Sequence, residues 1–590
     1  MRKTGSILFL LLCLSQIVAA KVVTPDVAAR CADVFMGKGS VAAPYTLSAR
    51  VNGRGDVSTL PDYYVFNNSS GGWVIIAADD RVQPVIAYSE WGEFNVDELP
   101  SNVEWWMDGV SDAINEVRES DIEADARVRE AWNRLLDVSG APESQKKEIK
   151  TALWNQSSPY NIYSPIVAGE NKRAYAGCVA TAMAIVARHN QWPSKGNGLI
   201  GGYYTDTYST YIPAYSIDEH VYDWSNMPVT DAAKSTSAWT SQQIQEVAQL
   251  MHDCGVMVNM DYTYSYGSGT YAEIIREAMQ EHLSYPASLT FVYRSGYSAD
   301  EWYKLMCDEI DQNRVILYSG AGSSGGHAFV CDGYDMNGQK LHFNWGWGGS
   351  YNGFYTLVLR LTKDTAFDEG QSALVGITAG TDVDLPGIPS LAHAVDYDRY
   401  GIIPMAGSDM VKGAEVGFTA GWFGNMTGKD ATFDFKVCLM DSAGEVRQEG
   451  WTFSLDLPGN GSFRGEDSQV EMLEVTPALT DYFKLFYKVG ESDWKPVFAN
   501  SEEFPDADGI CCGVTHDPII VIKGSCAAGQ EIGLELTPGF APVTSVSWFI
   551  NDDKIDGNRI QLESGKNRIR AEVGYYDGSA GTIFKTITVE

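Results

Sequence analysis

At 590 residues the chain is too long for one hydrophobic core, and a prior of roughly 150 residues per domain predicts about four units. Its 44% hydrophobic and 20% charged residues, with 16 Trp and 31 Tyr, belong to folded rather than disordered protein. A formal net charge of -34 argues against nucleic acid or anionic membrane as a partner, because both are recognised by basic patches.

In chain order, Met1-Arg2-Lys3, the apolar run Ile7 to Leu14 and Val18-Ala19-Ala20 form the three parts of a signal peptide over residues 1–20. Export follows as an expectation, without a choice between medium, cell surface and periplasm. No later run has the roughly 18 apolar residues that a membrane span needs. Residues 21–145 open with a helical pattern at Asp26 to Phe35. A hairpin follows, Tyr63 to Phe66 and Trp73 to Ala77 around a turn at Asn67 to Gly72, and then helical spacing over Ser101 to Val117 and Ile122 to Leu136. The polar stretch Ser139 to Lys150 reads as a linker.

Residues 146–380 place helices first and strands second, an α+β order. Val179 to His189 is an apolar helix, and Gln242 to Cys254 an amphipathic one with Gly255 as its stop. Val315 to Tyr318, Ala328 to Asp332, Leu341 to Asn344 and Phe354 to Val358 are short strands between Gly-rich turns, as in an antiparallel sheet. Beyond Leu385 the pattern is all-β, and it predicts two Ig-like sandwich units at 390–510 and 515–590.

The ten cysteines are scattered and form no disulfide framework. With no C-x-x-C and no H-E-x-x-H, neither a metal nor a cofactor is expected. Cys178 stands at the start of the apolar helix behind Gly177, where the partial positive charge and free N–H groups of a helix N-terminus favour a thiolate. On that segment alone a buried core cysteine is the better account. His327 heads an apolar strand after a glycine-rich turn, and the Cys-then-His order at long separation is that of papain-like enzymes. Asn344, in Asn344-Trp345-Gly346-Trp347-Gly348-Gly349, can accept the imidazole N–H while the indoles shield that bond; an aromatic turn that merely packs is the plain alternative. Gln156 can donate to an oxyanion beside the Cys178 N–H, or be an ordinary loop glutamine. Gly322-Ser323-Ser324-Gly325-Gly326 matches a serine elbow, but a strand rather than a helix follows it. Asp506-Ala507-Asp508-Gly509 lacks the glutamate of a calcium loop.

Four segments in order, Trp154 to Asn161 (W-x-Q-x-x-P-Y-N), Ala176 to Ala182 (A-G-C-V-A-T-A), Gly326 to Val330 (G-H-A-F-V) and Asn344 to Gly349 (N-W-G-W-G-G), resemble the streptopain family of secreted papain-like cysteine proteases. Tyr64-Val65-Phe66, Gly72 to Ile75 and Ala77 to Asp80 resemble that family's inhibitory propeptide. The resemblance implies Cys178 as nucleophile, His327 as general acid/base and Gln156 in the oxyanion hole, with Asn344 as a third member. It also implies a cleft wall at Tyr262 to Thr270; Gly326, Trp345, Trp347 and Gly269 are the expected substrate contacts. Protein or peptide substrates and the chain's own propeptide, as an intramolecular inhibitor, are the expected partners. Two rival readings are another acyl-transfer enzyme on the same scaffold and an adhesin whose C-terminal sandwiches bind a surface ligand.

Overall fold

A computed structural model describes residues 22–36, 46–51, 60–119, 123–136, 145–357 except for short loops at 168–169, 230–235, 266, 272–273, 295–296, 298 and 323–324, then 371–383, 385 and, between 391 and 589, chiefly strands. The chain forms two compact units, residues 1–148 with 333–367 and residues 149–332 with 368–590.

In the first unit, helix α1 (Pro25–Phe35) starts where the Thr24 side chain accepts from the Val27 N–H and proline takes the first turn. The strands Thr46–Val51, Tyr63–Asn67, Trp73–Ala77 and Val85–Ser89 form an antiparallel meander, with Asn67 opposite Trp73 at the expected hairpin. Helices α2 (Ser101–Glu119) and α3 (Ala126–Leu136) follow. The second starts at Ala126, so Glu123 to Asp125 of the stretch assigned to it by periodicity are not helical: Asp125 caps the chain there by accepting from the Val128 N–H.

The meander does not end in its own segment. Val85–Ser89 pairs with Gly353–Thr356, Tyr88 opposite Phe354, and that strand pairs in turn with Lys340–Asn344. Trp73 and Trp106 from the early segment meet Phe343, Trp345 and Tyr355 ring to ring at centroid distances from 4.9 to 6.3 Å. All five are buried, and burying an aromatic side chain stabilises by about 2 kcal/mol. The stretch expected as a linker is partly strand: Lys146–Glu148 pairs with Gly333–Asp335. Its residues before 145 lie outside those described.

In the second unit, helix α4 (Cys178–Asn190) is buried along Val179 to Ala187, so it lies in the core rather than on a surface. Helix α5 (Ser241–Met257) begins with a capping box between Thr240 and Gln243. It runs through Gly255, which is therefore not its stop. A Cβ at Gly255 would sit 2.3 Å from the Tyr262 hydroxyl and 3.6 Å from the Ala180 Cβ, so glycine serves close packing there. After α6 (Ile274–Leu283) and α7 (Ala299–Asp311) comes the antiparallel sheet: Thr290–Tyr293 pairs with Ser372–Val375, which pairs with Ile316–Gly322, which pairs with Gly325–Asp335 as far as Cys331. The expected α+β order holds.

Between 391 and 589 every described element is a strand. One apolar cluster gathers Phe433, Phe435, Leu485, Tyr487 and Val497. A second joins Ile532 and Leu534 of one sheet to Trp548, Ile569 and Val573 of another, as a β-sandwich does. Among the described residues no helix is long and apolar enough to cross a membrane. The signal-peptide segment and Asp506 to Gly509 fall outside the described residues.

Candidate active site

Cys178 opens α4 behind Gly177, whose φ is +96°. A side chain at 177 would be strained by that φ, and its Cβ would lie 2.7 Å from the Met260 sulfur and 3.1 Å from the Ser268 carbonyl. The tight approach brings the loop from Met260 to Gly269 against the nucleophile candidate. Ser268 Oγ donates to the Tyr175 carbonyl at 2.8 Å, and Asp261 and Gly269 exchange backbone hydrogen bonds at 2.8 and 3.2 Å.

His327 sits opposite Gly320 in the sheet, one residue before Ala328, whose backbone N–H points at the Cys178 sulfur. The helix start that carries Cys178 and the strand that carries His327 therefore meet in one unit although they are far apart in sequence. Burial pushes the Cys178 thiol above its ordinary pKa, against the pull of N–H donors from Ala328, Val179 and Cys178 itself. Burial also pushes His327 down, to about 4, and its Nε2 is enclosed with no hydrogen-bond partner among the described residues. Both shifts favour the neutral forms.

Gln156 is buried at 4% exposure, and its carbonyl accepts from the Ala176 N–H at 2.9 Å, two residues before Cys178. Its segment is stitched down on both sides: Trp154 Nε1 donates to the Pro228 carbonyl at 2.9 Å, and Asn161 Nδ2 donates to the Ala174 carbonyl at 2.8 Å. Gly326 is exposed at the strand head, opposite Ala321. Gly269 lies in the loop beside Gly177.

Asn344, Trp345 and Trp347 belong to the first unit. Asn344 is fully buried and accepts from the Gly346 N–H at 3.2 Å. Asn102 of α2, which sequence reasoning did not single out, holds both tryptophans: its Nδ2 donates to the Trp345 carbonyl at 3.0 Å and its Oδ1 accepts from Trp347 Nε1 at 2.9 Å. Nothing in an amphipathic helix marks one asparagine; only the partners, 243 and 245 residues away, do so. His342 is a packed strand residue against Phe354, and His189, at the end of α4, lies 3.3 Å from the Asn313 carbonyl. Among the described residues no group of His, Cys, Asp and Glu is arranged to hold a metal ion.

Residues 154–355 match the Peptidase C10 family and residues 20–114 the Spi protease inhibitor family. The thiol protease/hemagglutinin PrtT of Porphyromonas gingivalis is 32% identical over 392 residues, which is 64% of this chain; the chain spans only 44% of PrtT. Streptopain of Streptococcus pyogenes is 31% identical over 359 residues, 56% of this chain and 83% of streptopain. Among solved structures, the prointerpain A fragment of Prevotella intermedia is 25% identical, with 54% of this chain and 95% of the fragment covered and a TM-score of 0.43. With most of streptopain matched and an inhibitor domain ahead of the protease domain, the chain belongs to the Peptidase C10 family of cysteine proteases.

Proposed function

We propose that the chain is an exported cysteine endopeptidase precursor in which the Cys178 thiolate attacks a peptide carbonyl. The Cys178 N–H and the Gln156 side chain hold the oxyanion, and His327 protonates the departing amine before water cleaves the thioester. The observation that carries this reading is the meeting of a helix-start cysteine with the strand residue after His327. Asn344 is the proposed orienting partner of His327; Gly326, Gly269, Trp345 and Trp347 are the proposed substrate contacts. The leader-like residues 1–20 support export.

In this reading the neutral Cys178/His327 pair is the latent state. Asn102 acts from the inhibitory domain by immobilising Trp345 and Trp347 until that domain is removed. Maturation cuts on the N-terminal side of Gln145: Lys146–Glu148 is a paired strand, and the Gln145 carbonyl accepts from the Met336 N–H at 3.1 Å, so cutting there would require local unfolding. N-terminal sequencing of the processed enzyme tests this, and a start beyond Gln145 contradicts it. The functional test is the Cys178→Ala precursor, which should fold and neither process itself nor cleave a protein substrate; cleavage by that variant would refute the assignment.

The inhibitory domain, residues 21–145, the protease domain, 146–380, and the β domains, 390–510 and 515–590, are the proposed boundaries. A second reading, that the β domains bind a surface ligand, draws support from the double name of the Porphyromonas relative.

A further inference from the structure

Asp253 lies on α5, fully buried, and takes no part in the chemistry proposed above. Its carboxylate accepts from four side chains: the hydroxyls of Tyr215 and Tyr222, the latter at 2.9 Å, His220 Nδ1 at 2.9 and 3.1 Å to the two oxygens, and Gln249 Nε2 at 2.9 Å. A carboxylate offers about four acceptor sites, so this one is saturated. Gln249 comes from the preceding turn of α5. The other three donors come from one short stretch, 215–222, which closes an excursion of two small hairpins, Leu199–Ile200 with Tyr215–Ser216 and Tyr203–Tyr204 with Tyr211–Ile212. The carboxylate clasps this single excursion to the helix.

The other end of the excursion holds the loop beside the nucleophile. Tyr203 donates its hydroxyl to the Met260 carbonyl at 2.9 Å, and Thr207 donates its N–H and hydroxyl to Asp261 at 3.1 and 2.6 Å. Met260 and Ser268 are the groups against which Gly177 is packed without room for a Cβ, and Asp261 pairs with Gly269. The contacts run without a break from Asp253, through the hairpins, to the wall next to Cys178.

We propose that Asp253 is a positioning residue for peptide cleavage: it fixes the 199–222 excursion, which in turn sets the distance between the Met260–Gly269 wall and Cys178 and so determines how tightly an extended substrate is held. The inference rests on Cys178 being the nucleophile. Loss of the clasp lets the wall drift, which weakens substrate binding while leaving bond-breaking at Cys178 intact.

The test uses processed enzyme made from the full chain, with the amount of reactive Cys178 in each sample measured by a thiol-directed epoxide. Asp253→Asn and Tyr203→Phe should each raise KM for a peptide substrate about five- to tenfold, the scale of one lost hydrogen bond, with kcat per labelled Cys178 changed less than about twofold. The double variant should be no worse than Asp253→Asn alone, since both cut one line of contacts. His220→Asn, which keeps a donor near the Nδ1 position, should retain the wild-type KM, whereas His220→Leu should not. A purely structural role predicts fewer labelled sites with unchanged kinetics per site; that result, or multiplicative effects in the double variant, overturns the proposal. Should Asp253→Asn yield no folded enzyme, Tyr203→Phe and His220→Leu decide the question by the same readout. Failure of the nucleophile assignment would show separately, as activity in Cys178→Ala.

Discussion

Two histidines of the protease unit occupy opposite environments. His220 hydrogen-bonds to a buried carboxylate, which raises its pKa against the cost of burial. His327 is half-buried, its Nε2 is enclosed with no partner among the described residues, and burial lowers its pKa to about 4. A satisfied polar group holds structure together, whereas an unsatisfied one in a core costs free energy and persists where function requires it. The difference fits the proposed division, in which His327 serves the chemistry and His220 the architecture.

The largest test of that division is substitution. His327→Ala should lower turnover of the processed enzyme by about 10²- to 10⁴-fold with little change in melting temperature, while His220→Leu should lower the melting temperature and spare kcat; thermal scans and active-site-titrated kinetics would separate them. If His327→Ala kept full turnover, the division would collapse. Next in size is Asn102→Ala, which frees the Trp345 carbonyl and the Trp347 indole. At about 1–3 kcal/mol for an unmade buried hydrogen bond, it should speed conversion of precursor to mature enzyme roughly tenfold, read by gel densitometry; an unchanged rate would remove Asn102 from the latency device.

The pH dependence of precursor stability sharpens the comparison further, because the two histidines slope in opposite directions. The folded pKa of His327 lies below its unfolded value near 6.5, so the unfolded chain binds the extra proton; the stability associated with neutral His327 is present above about pH 6.5 and is lost as pH falls towards 4. The folded pKa of His220 is raised by Asp253, with Tyr215, Gln249 and the neighbouring His252 around the pair. Its contribution is therefore present below about pH 6.5 and lost as pH rises through the folded value. Denaturant melts of His327→Gln and His220→Asn precursors against pH should flatten the acid and the alkaline limb respectively. At Gly255, alanine must displace the Tyr262 hydroxyl, costing about 1–3 kcal/mol in the same melts.

The parts legible in the sequence were those whose chemistry is local. Cys178 and His327 were marked by the resemblance of four short ordered segments to the streptopain family, since on its own segment Cys178 read better as a core cysteine. The α+β order was equally readable from periodicity. What escaped depends on partners far along the chain. The pairing of Val85–Ser89 with Gly353–Thr356 joins two ordinary apolar strands with no local sign that they meet. Lys146–Glu148 is a strand without hydrophobic alternation, held by backbone pairing alone, and so read as linker. Gly255 looked like a helix stop because glycine's two uses, ending a helix and admitting a neighbour, are identical in sequence. Asp253, like Asn102, became visible only through the donors that converge on it.

In the proposed reading the precursor holds Cys178 and His327 neutral, and the two become an ion pair on maturation. The most direct measurement is the alkylation rate of Cys178 between pH 4 and 9 in a partly processed sample, scored by intact mass so that precursor and mature forms are read side by side. The mature thiol should react as thiolate in mild acid, and the precursor thiol only as the pH approaches or exceeds the ordinary cysteine value. Equal rates for the two forms at pH 5 would contradict that reading.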